Sequence, residues 1–322
     1  MLTNLAVSPT FPLDPIVFSA DYDPAIYPSI SSGPGLYLVG LEAGFCLTAN
    51  RVSPDGGVLD PGGVCVAPAI GPGEGRRSSS VWDGQNWWLI WETHTSTVQA
   101  VRFSAAGELL DSPPRILATN ADPLQGPTIA FNGNEHLIAW GTNLPRRIEA
   151  VRMRPDGVVL DSSPLLIADG GSNPTVTNQG SQFLLTWKEA NSSGRVLAAR
   201  FDSDAGLLDA PPLLLGAAPG IFEPASATSD GTQYVVAWSQ GNGPQAVARR
   251  ISTDGGLLDP TPISLGMTGY QPSIASDGVL STIMVIETPG NERWGAAQLR
   301  PDGTVAASRT ILQGTSFSAF DT

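Results

Sequence analysis

Lysine is almost absent from this 322-residue chain, since Lys188 is the only one, and only 15% of the residues are charged. Acidic residues outnumber basic ones, and the net charge is −13. A nucleic-acid-binding surface needs Lys and Arg to release counterions, so neither nucleic acid nor anionic lipid is an expected partner. No apolar run reaches 18 residues, so no membrane span is predicted. Residues 1–5 lack a basic region followed by an apolar core, and no signal peptide is predicted there.

The motifs of familiar catalytic and metal sites are also missing. The sequence holds no Gly-x-Ser-x-Gly elbow, no phosphate-binding loop and no His/Cys spacing typical of zinc. Two histidines occur, and no partner nucleophile is identifiable for either; for His94, in a loop, a solvated side chain is favoured over a catalytic base. The sequence therefore assigns no catalytic residue and does not decide whether the protein is an enzyme.

What the sequence does contain is a repeat of about fifty residues. An Arg is followed nine residues later by the Asp of a Leu-Asp pair, with a Gly-containing turn between them. The copies begin at Arg51, Arg102, Arg152, Arg200 and Arg250, with Gln298 in the sixth, degenerate copy. The successive intervals are 51, 50, 48, 50 and 48 residues. Such regularity indicates a repeat architecture.

Each copy reads as four short strands separated by Gly, Pro and Asp-Gly turns, too short and too interrupted for helices. An isolated four-stranded sheet cannot bury both faces, whereas six stacked around an axis can. The sequence thus predicts an all-β, six-bladed β-propeller over residues 13–313, with a terminal outer strand, 13–18 or 309–313, completing the last blade. Residues 1–12 and 314–322 are an extension and a tail. The approximate blades are 26–68, 78–118, 127–168, 174–216, 224–266 and 272–313.

The order of the segments, with a Pro-to-Gly inner strand before an apolar second strand such as Tyr234 to Trp238, resembles the propeller of the translocation protein TolB. The repeat is also similar to those of secreted bacterial propeller proteins. Sialidase-type Asp-boxes and the Gly-His and Trp-Asp pairs of WD40 repeats are absent. The resemblance implies a fold and no specific activity.

The two cysteines are predicted to form a disulfide. Cys46 and Cys65 are equally distant from the Pro54-Asp-Gly-Gly57 turn, so in a regular hairpin they would face each other at a distance that a disulfide can span. A bridge would place the protein in an oxidising compartment: extracellular, periplasmic or at a bacterial cell surface. Two separate buried thiols are the alternative.

The repeated residues are predicted to be structural. Each Arg precedes a hairpin turn and each Asp follows it, so the pair can bridge the turn. The Trp residues that end four of the second strands are expected to pack between blades, with stacking on sugars as the alternative. They are Trp91, Trp140, Trp187 and Trp238.

The loops that lead into the inner strands vary between copies and carry polar and aromatic groups, as a binding site at the channel mouth would. Unconstrained drift of these loops is an equal alternative. The predicted ligand-binding residues are Tyr27, Arg77, Asp122, Asn173, Glu223, Tyr270 and Gln271. Acidic residues of the second loop set leave open a Ca²⁺ ion in or near the channel. They are Glu42, Glu92, Glu189 and Glu287.

The favoured prediction is a monomeric extracellular or cell-surface binding module that recognises a glycan, a peptide or a partner protein at one mouth of the channel. A carbohydrate-active hydrolase or lyase is the first alternative. It would use mouth carboxylates such as Glu223 and Asp122, because two carboxylates are sufficient for that chemistry. A structural repeat domain of a larger surface assembly is the second.

Overall fold

The computed structural model describes residues 28–43, 46–68, 77–189, 194–204, 206–217, 224–241, 243–288 and 293–313. Within these ranges the chain is built of β-strands and turns and forms no helix, so none of it crosses a membrane as a helix. The chain divides into two compact units, residues 1–119 and residues 120–322.

The first unit contains two antiparallel four-stranded sheets, in each of which strands adjacent in sequence are hydrogen-bonded neighbours. The strands of the first sheet are β1 (Ser29–Ser32), β2 (Tyr37–Ala43), β3 (Cys46–Val52) and β4 (Val64–Pro68). Those of the second are β5 (Ser78–Trp82), β6 (Asn86–Glu92), β7 (Val98–Ser104) and β8 (Arg115–Ala118).

The second unit contains four sheets of the same design. The third sheet is β9 (Thr128–Phe131), β10 (His136–Thr142), β11 (Arg147–Met153) and β12 (Leu165–Asp169). The fourth is β13 (Gly171–Gln179), β14 (Gln182–Glu189), β15 (Arg195–Asp202), the short β16 (Gly206–Leu207) and β17 (Leu213–Ala217). The fifth is β18 (Ser226–Ser229), β19 (Gln233–Gln240), β20 (Gln245–Ser252) and β21 (Ile263–Thr268). The sixth is β22 (Tyr270–Ser276), β23 (Ser281–Thr288), β24 (Arg293–Leu299) and β25 (Val305–Gln313).

Six sequential four-stranded antiparallel sheets confirm the predicted six-bladed β-propeller. The fourth sheet carries the additional two-residue strand β16, which pairs with β15 beside the turn. The last sheet is completed by the C-terminal strand β25, which pairs with β24. The competing N-terminal segment, residues 13–18, lies outside the described residues, as do residues 1–12 and 314–322 of the predicted extension and tail.

The apolar second strands form the core. Within each unit, buried clusters join consecutive sheets: the first to the second, the third to the fourth, the fourth to the fifth and the fifth to the sixth. The four repeated Trp side chains are at most 1% exposed, which confirms that they pack in the core and excludes stacking on a ligand. Burying such side chains is the main favourable term in assembling the sheets.

The repeated Arg and Asp bridge their turns as predicted. In five sheets the backbone N–H and the guanidinium of the Arg donate to the carboxylate nine residues later. The same guanidinium also reaches the next sheet, where Nη1 of Arg51 donates to the carbonyl of Ala105 (2.9 Å) and that of Arg200 to the carbonyl of Thr253 (2.7 Å). Arg152 and Arg250 make the same kind of contact, so four of the five Arg–Asp pairs link neighbouring sheets as well as bridging a turn.

The second-sheet pair carries an additional arginine. Asp111 accepts hydrogen bonds from both Arg102 and Arg115. Burial raises the pKa of Asp111, but these two guanidinium groups outweigh it and lower the pKa to about 2. The carboxylate is therefore charged throughout the physiological range of pH.

The Cys46–Cys65 disulfide is present, with the two Cα atoms 5.7 Å apart. The reasoning from a regular hairpin was nevertheless wrong in its register. Cys46 pairs with Pro68 and Cys65 pairs with Thr48, because residues 59–63 loop out after the turn and a bulge follows at Leu47. The sulfurs meet diagonally across the ladder, at a Cα distance that a disulfide accommodates without distortion.

Candidate functional site

Several of the residues predicted to bind ligand can be placed in the structure. Arg77 is half-buried immediately before β5, and its backbone N–H donates to Oε1 of Glu92 (3.0 Å). Tyr270 begins β22 and is half-buried, and Gln271 beside it is exposed. Tyr27 and Glu223 lie outside the described residues.

Asp122 and Asn173 are brought together through Gln125, and all three are buried. Nε2 of Gln125 donates to Asp122 (2.7 Å), and its Oε1 accepts from the backbone N–H of Asn173 (2.7 Å). This chain of hydrogen bonds ties the loop before β9 to the first residues of β13. It gives Asp122 a structural task, and the binding role of these residues stays a prediction.

Asn173 and Gln271 share an unusual backbone. Each precedes the Pro of an inner strand, and their φ angles are 51° and 49°, in the left-handed region that side chains other than Gly rarely adopt. A further non-Gly residue among those described has a positive φ, Ser96 in the loop after β6. The sequence placed these two equivalent positions in loops, but they lie within the first residues of β13 and β22, where they hold a costly conformation of the kind that functional sites often contain.

The acidic residues considered for a cation are differently engaged. Glu42 and Glu92 are buried, while Glu189 forms an ion pair with Arg195 and Glu287 with Arg293. Among the described residues no three His, Cys, Asp or Glu side chains converge as metal ligands would.

The two histidines differ in their surroundings. His94 is exposed in the loop after β6. His136 is fully buried on β10, with Nδ1 at 3.2 Å from the carbonyl oxygen of Met153.

A polar cleft of about 520 Å³ lies between the fifth and sixth sheets, at their fourth strands. We refer to it as the outer cleft. It is lined by Gln245, Ser264, Gly266, Met267, Thr268, Glu287, Arg293, Ser308, Arg309 and Thr310. Its volume is that of a small-ligand pocket, but its lining is rich in hydroxyl, amide and charged groups. A second, more open hollow of about 570 Å³ beside Arg200 is formed largely by turn residues.

One wall of the outer cleft is shaped by a bulge in β21. In the third sheet one extra residue, Ile167, is inserted between the pairs Ile148–Ala168 and Glu149–Leu166. In the fifth sheet Gln245 pairs with Thr268 and Val247 with Ser264, so two extra residues are accommodated there. The larger bulge includes Gly266, whose φ of 71° suits Gly. Bulges of this kind bend the strand and re-aim its side chains.

The opposite wall holds a fixed carboxylate. Glu287 accepts a hydrogen bond from the hydroxyl of Thr310 (2.9 Å) and pairs with Arg293 (3.3 Å). Its side chain lies over Gly295, where an added Cβ would stand 2.7 Å from Oε1. In the third, fourth and fifth sheets the position equivalent to Gly295 is occupied by Glu149, Leu197 and Val247. Among these four sheets only the sixth therefore leaves space for a side chain such as that of Glu287 to lie over the third strand.

Sequence reasoning named Glu287 but missed the cleft. The sequence does contain a signal for the cleft, in the fourth strand of each sheet. The residue next to the bulge in that strand is apolar and exposed in three sheets, and it is polar in the last two. It is Ile116, Leu166 and Leu214 in the second to fourth sheets, then Ser264 and Thr310. Recognising that change required the register of the bulges, which the sequence does not display.

The described lining residues contain one carboxylate, Glu287, and it is already paired. Both standard geometries of glycoside hydrolysis need two carboxylates flanking the bond to be broken. The described lining supplies one of them.

No protein-family model matches the sequence, and no curated protein is similar to it. Solved structures, however, are similar in fold. The BP39L lectin of Burkholderia pseudomallei has a TM-score of 0.72 at 12% identity, over 90% of this chain and 85% of that chain. The Aleuria aurantia lectin, solved with α-methyl-L-fucoside, has a TM-score of 0.56 at 11% identity, over 92% of this chain and 98% of that chain.

Similarity of this order also extends to an enzyme. Hydrazine synthase of Kuenenia stuttgartiensis has a TM-score of 0.59 at 13% identity, over 87% of this chain and 77% of that chain. These TM-scores show that the propeller fold is shared. Because one fold hosts many activities, function has to be argued from the residues of the site.

Proposed function

We propose that this protein is a glycan-binding module and that its ligand occupies the outer cleft. The observation that carries the proposal is the composition of the cleft. Its described lining offers hydroxyl groups from Ser264, Ser308 and Thr310, an amide from Gln245 and a fixed carboxylate from Glu287, against a single large apolar side chain, Met267.

These groups match the surface of a sugar. Hydroxyl and amide groups both donate and accept hydrogen bonds, as sugar hydroxyls do, whereas a carboxylate only accepts. Glu287 is held in place by Thr310 and Arg293 before any ligand arrives, so less side-chain entropy is lost on binding. The lectin folds in the comparison support the same class of ligand.

The disulfide supports the proposed location. Bonds between cysteines persist in oxidising compartments, so we propose that the protein works outside the cytoplasm, secreted, periplasmic or at a cell surface. Of the loop residues predicted from the sequence, Tyr270 and Gln271 are adjacent and at least partly exposed, and we propose them as a second contact surface for a larger glycan.

A blocking substitution tests the proposal. Ser264→Trp places an indole at an exposed position of the cleft, and Leu166→Trp places one at the matching position of the third sheet, which is 50% exposed. A glycan array and calorimetry on its hits should show binding by the wild-type protein and by Leu166→Trp, and loss of binding by Ser264→Trp. Binding that survives in Ser264→Trp would place the ligand elsewhere, and an array without hits would reject the function.

A further inference from the structure

The outer cleft carries an excess of positive charge. Its described lining residues include one carboxylate, Glu287, and two guanidinium groups, Arg293 and Arg309. Glu287 and Arg293 neutralise each other. Arg309 is exposed on β25 and makes no ion pair with a described residue, so one positive charge remains in a protein whose net charge is −13.

One buried donor of the cleft also lacks a partner. Nε of Arg293 is buried and has no hydrogen-bond acceptor within the described structure. A buried donor without a partner is costly and is rare in native proteins. Arg293 Nη2 contacts Glu287 and Thr310, which leaves the guanidinium only partly satisfied.

We propose that the outer cleft selects an acidic saccharide, a sugar whose ring bears a carboxylate, and this inference rests on the proposed function. The ligand carboxylate binds Arg309, since a guanidinium offers a planar pair of donors that fits a carboxylate. Ring hydroxyls contact the polar wall formed by Gln245, Ser264 and Ser308. The carboxylate of Glu287 is not available to repel the ligand, because Arg293 and Thr310 already compensate it.

A pair of matched glycosides tests this selectivity. Methyl β-D-glucuronide and methyl β-D-glucoside differ only at C6, which is a carboxylate in the first and a hydroxymethyl group in the second. Calorimetry or ligand-observed NMR should show at least about tenfold tighter binding of the glucuronide, a difference of about 1.4 kcal/mol. Arg309→Gln removes the charge and should abolish that preference while the protein stays folded, because the residue is on the surface.

Arg147→Gln is the control. Arg147 is the first residue of β11, in the third sheet and outside the cleft. Its charge is paired with that of Asp169. It should leave the preference unchanged. Equal binding of both glycosides, or a preference that persists in Arg309→Gln, would overturn the selectivity and leave glycan binding standing. Absence of binding by these two and by every neutral and acidic glycan of an array would overturn both proposals.

Discussion

The Arg200–Asp209 pair provides a test of the idea that a repeated Arg links two neighbouring sheets. Asp209 accepts from the backbone N–H, Nε and Nη2 of Arg200, at 2.8, 3.0 and 2.8 Å. Nη1 of Arg200 donates to the carbonyl of Thr253 in the next sheet. The two side chains are only 11% and 8% exposed, so water cannot easily replace the lost contacts.

Arg200→Met keeps most of the alkyl stem and removes every guanidinium donor. Of the three hydrogen bonds that Arg200 donates to Asp209, only the one from the backbone N–H then remains. The carbonyl of Thr253 loses the hydrogen bond from the guanidinium. Removing one partner of a fully buried ion pair costs about 3–5 kcal/mol, and this pair retains some access to water. We therefore expect the free energy of unfolding to fall by about 2–4 kcal/mol, measured by urea denaturation.

Arg154→Met is the matched control, because Arg154 forms a pair with Asp156 in which both side chains are more than half exposed. Exposed pairs contribute little, and no measurable change is expected. The double variant Arg200→Met with Asp209→Asn should recover part of the loss, since the poorly compensated charge is then removed. If Arg200→Met were as stable as Arg154→Met, the link between sheets would have no energetic role and the reasoning would be refuted.

Three further predictions concern the framework. Gly255→Ala should lower the free energy of unfolding, measured by urea denaturation, more than Gly231→Ala does. Both glycines have positive φ, but only at Gly255 would the new Cβ meet a guanidinium, that of Arg200 at 2.7 Å. Equal losses in the two variants would contradict this contact. Replacing both cysteines by Ser should cost about 3 kcal/mol, from the chain entropy of a 19-residue separation, and an unchanged denaturation midpoint would contradict it. Because the pKa of Asp111 is lowered to about 2, its stabilisation is present above the unfolded carboxyl pKa of about 3.9 and is lost as the pH falls towards 2; Asp111→Asn should flatten that part of the stability–pH profile, and an identical profile would contradict it.

The fold could be predicted from the sequence because its signals are local and repeated. The Arg-to-Asp spacing, the Asp-Gly turns and the Trp-ended strands each specify one strand or turn, and their recurrence about every fifty residues gives the number of sheets. The disulfide pairing was also accessible, although its register was not. The five-residue excursion at 59–63 shifts every pair beyond it, and no symmetry of residue numbers reveals such a shift.

The candidate site was less accessible, because it depends on what neighbouring sheets leave open. Asp122 is buried and accepts a hydrogen bond from Gln125, which in turn accepts one from the next sheet, and the spacing of the sequence does not reveal this chain of contacts. The space that Glu287 occupies exists because Gly295 has no side chain, and the two are eight residues apart on different strands. Sequence periodicity identifies which face a residue lies on and does not identify a missing volume across the sheet.

The outer cleft lies between the regular fifth sheet and the degenerate sixth sheet. In five sheets an Arg–Asp pair fixes the turn after the third strand, and in four of them its guanidinium is bonded to the following sheet. The sixth sheet has Gln298 instead of that Arg, and β25 pairs with β24 through two bulges, one at Trp294 and one at Gln298. The first of these bulges recurs in the second, third and fourth sheets, so the change particular to the sixth sheet is the one at Gln298. The sixth sheet carries Thr310 where the second to fourth sheets have an exposed Ile or Leu, and the regular fifth sheet carries Ser264 at the same position. The polar cleft therefore arises from substitutions in two adjacent outer strands, only one of which belongs to a degenerate repeat.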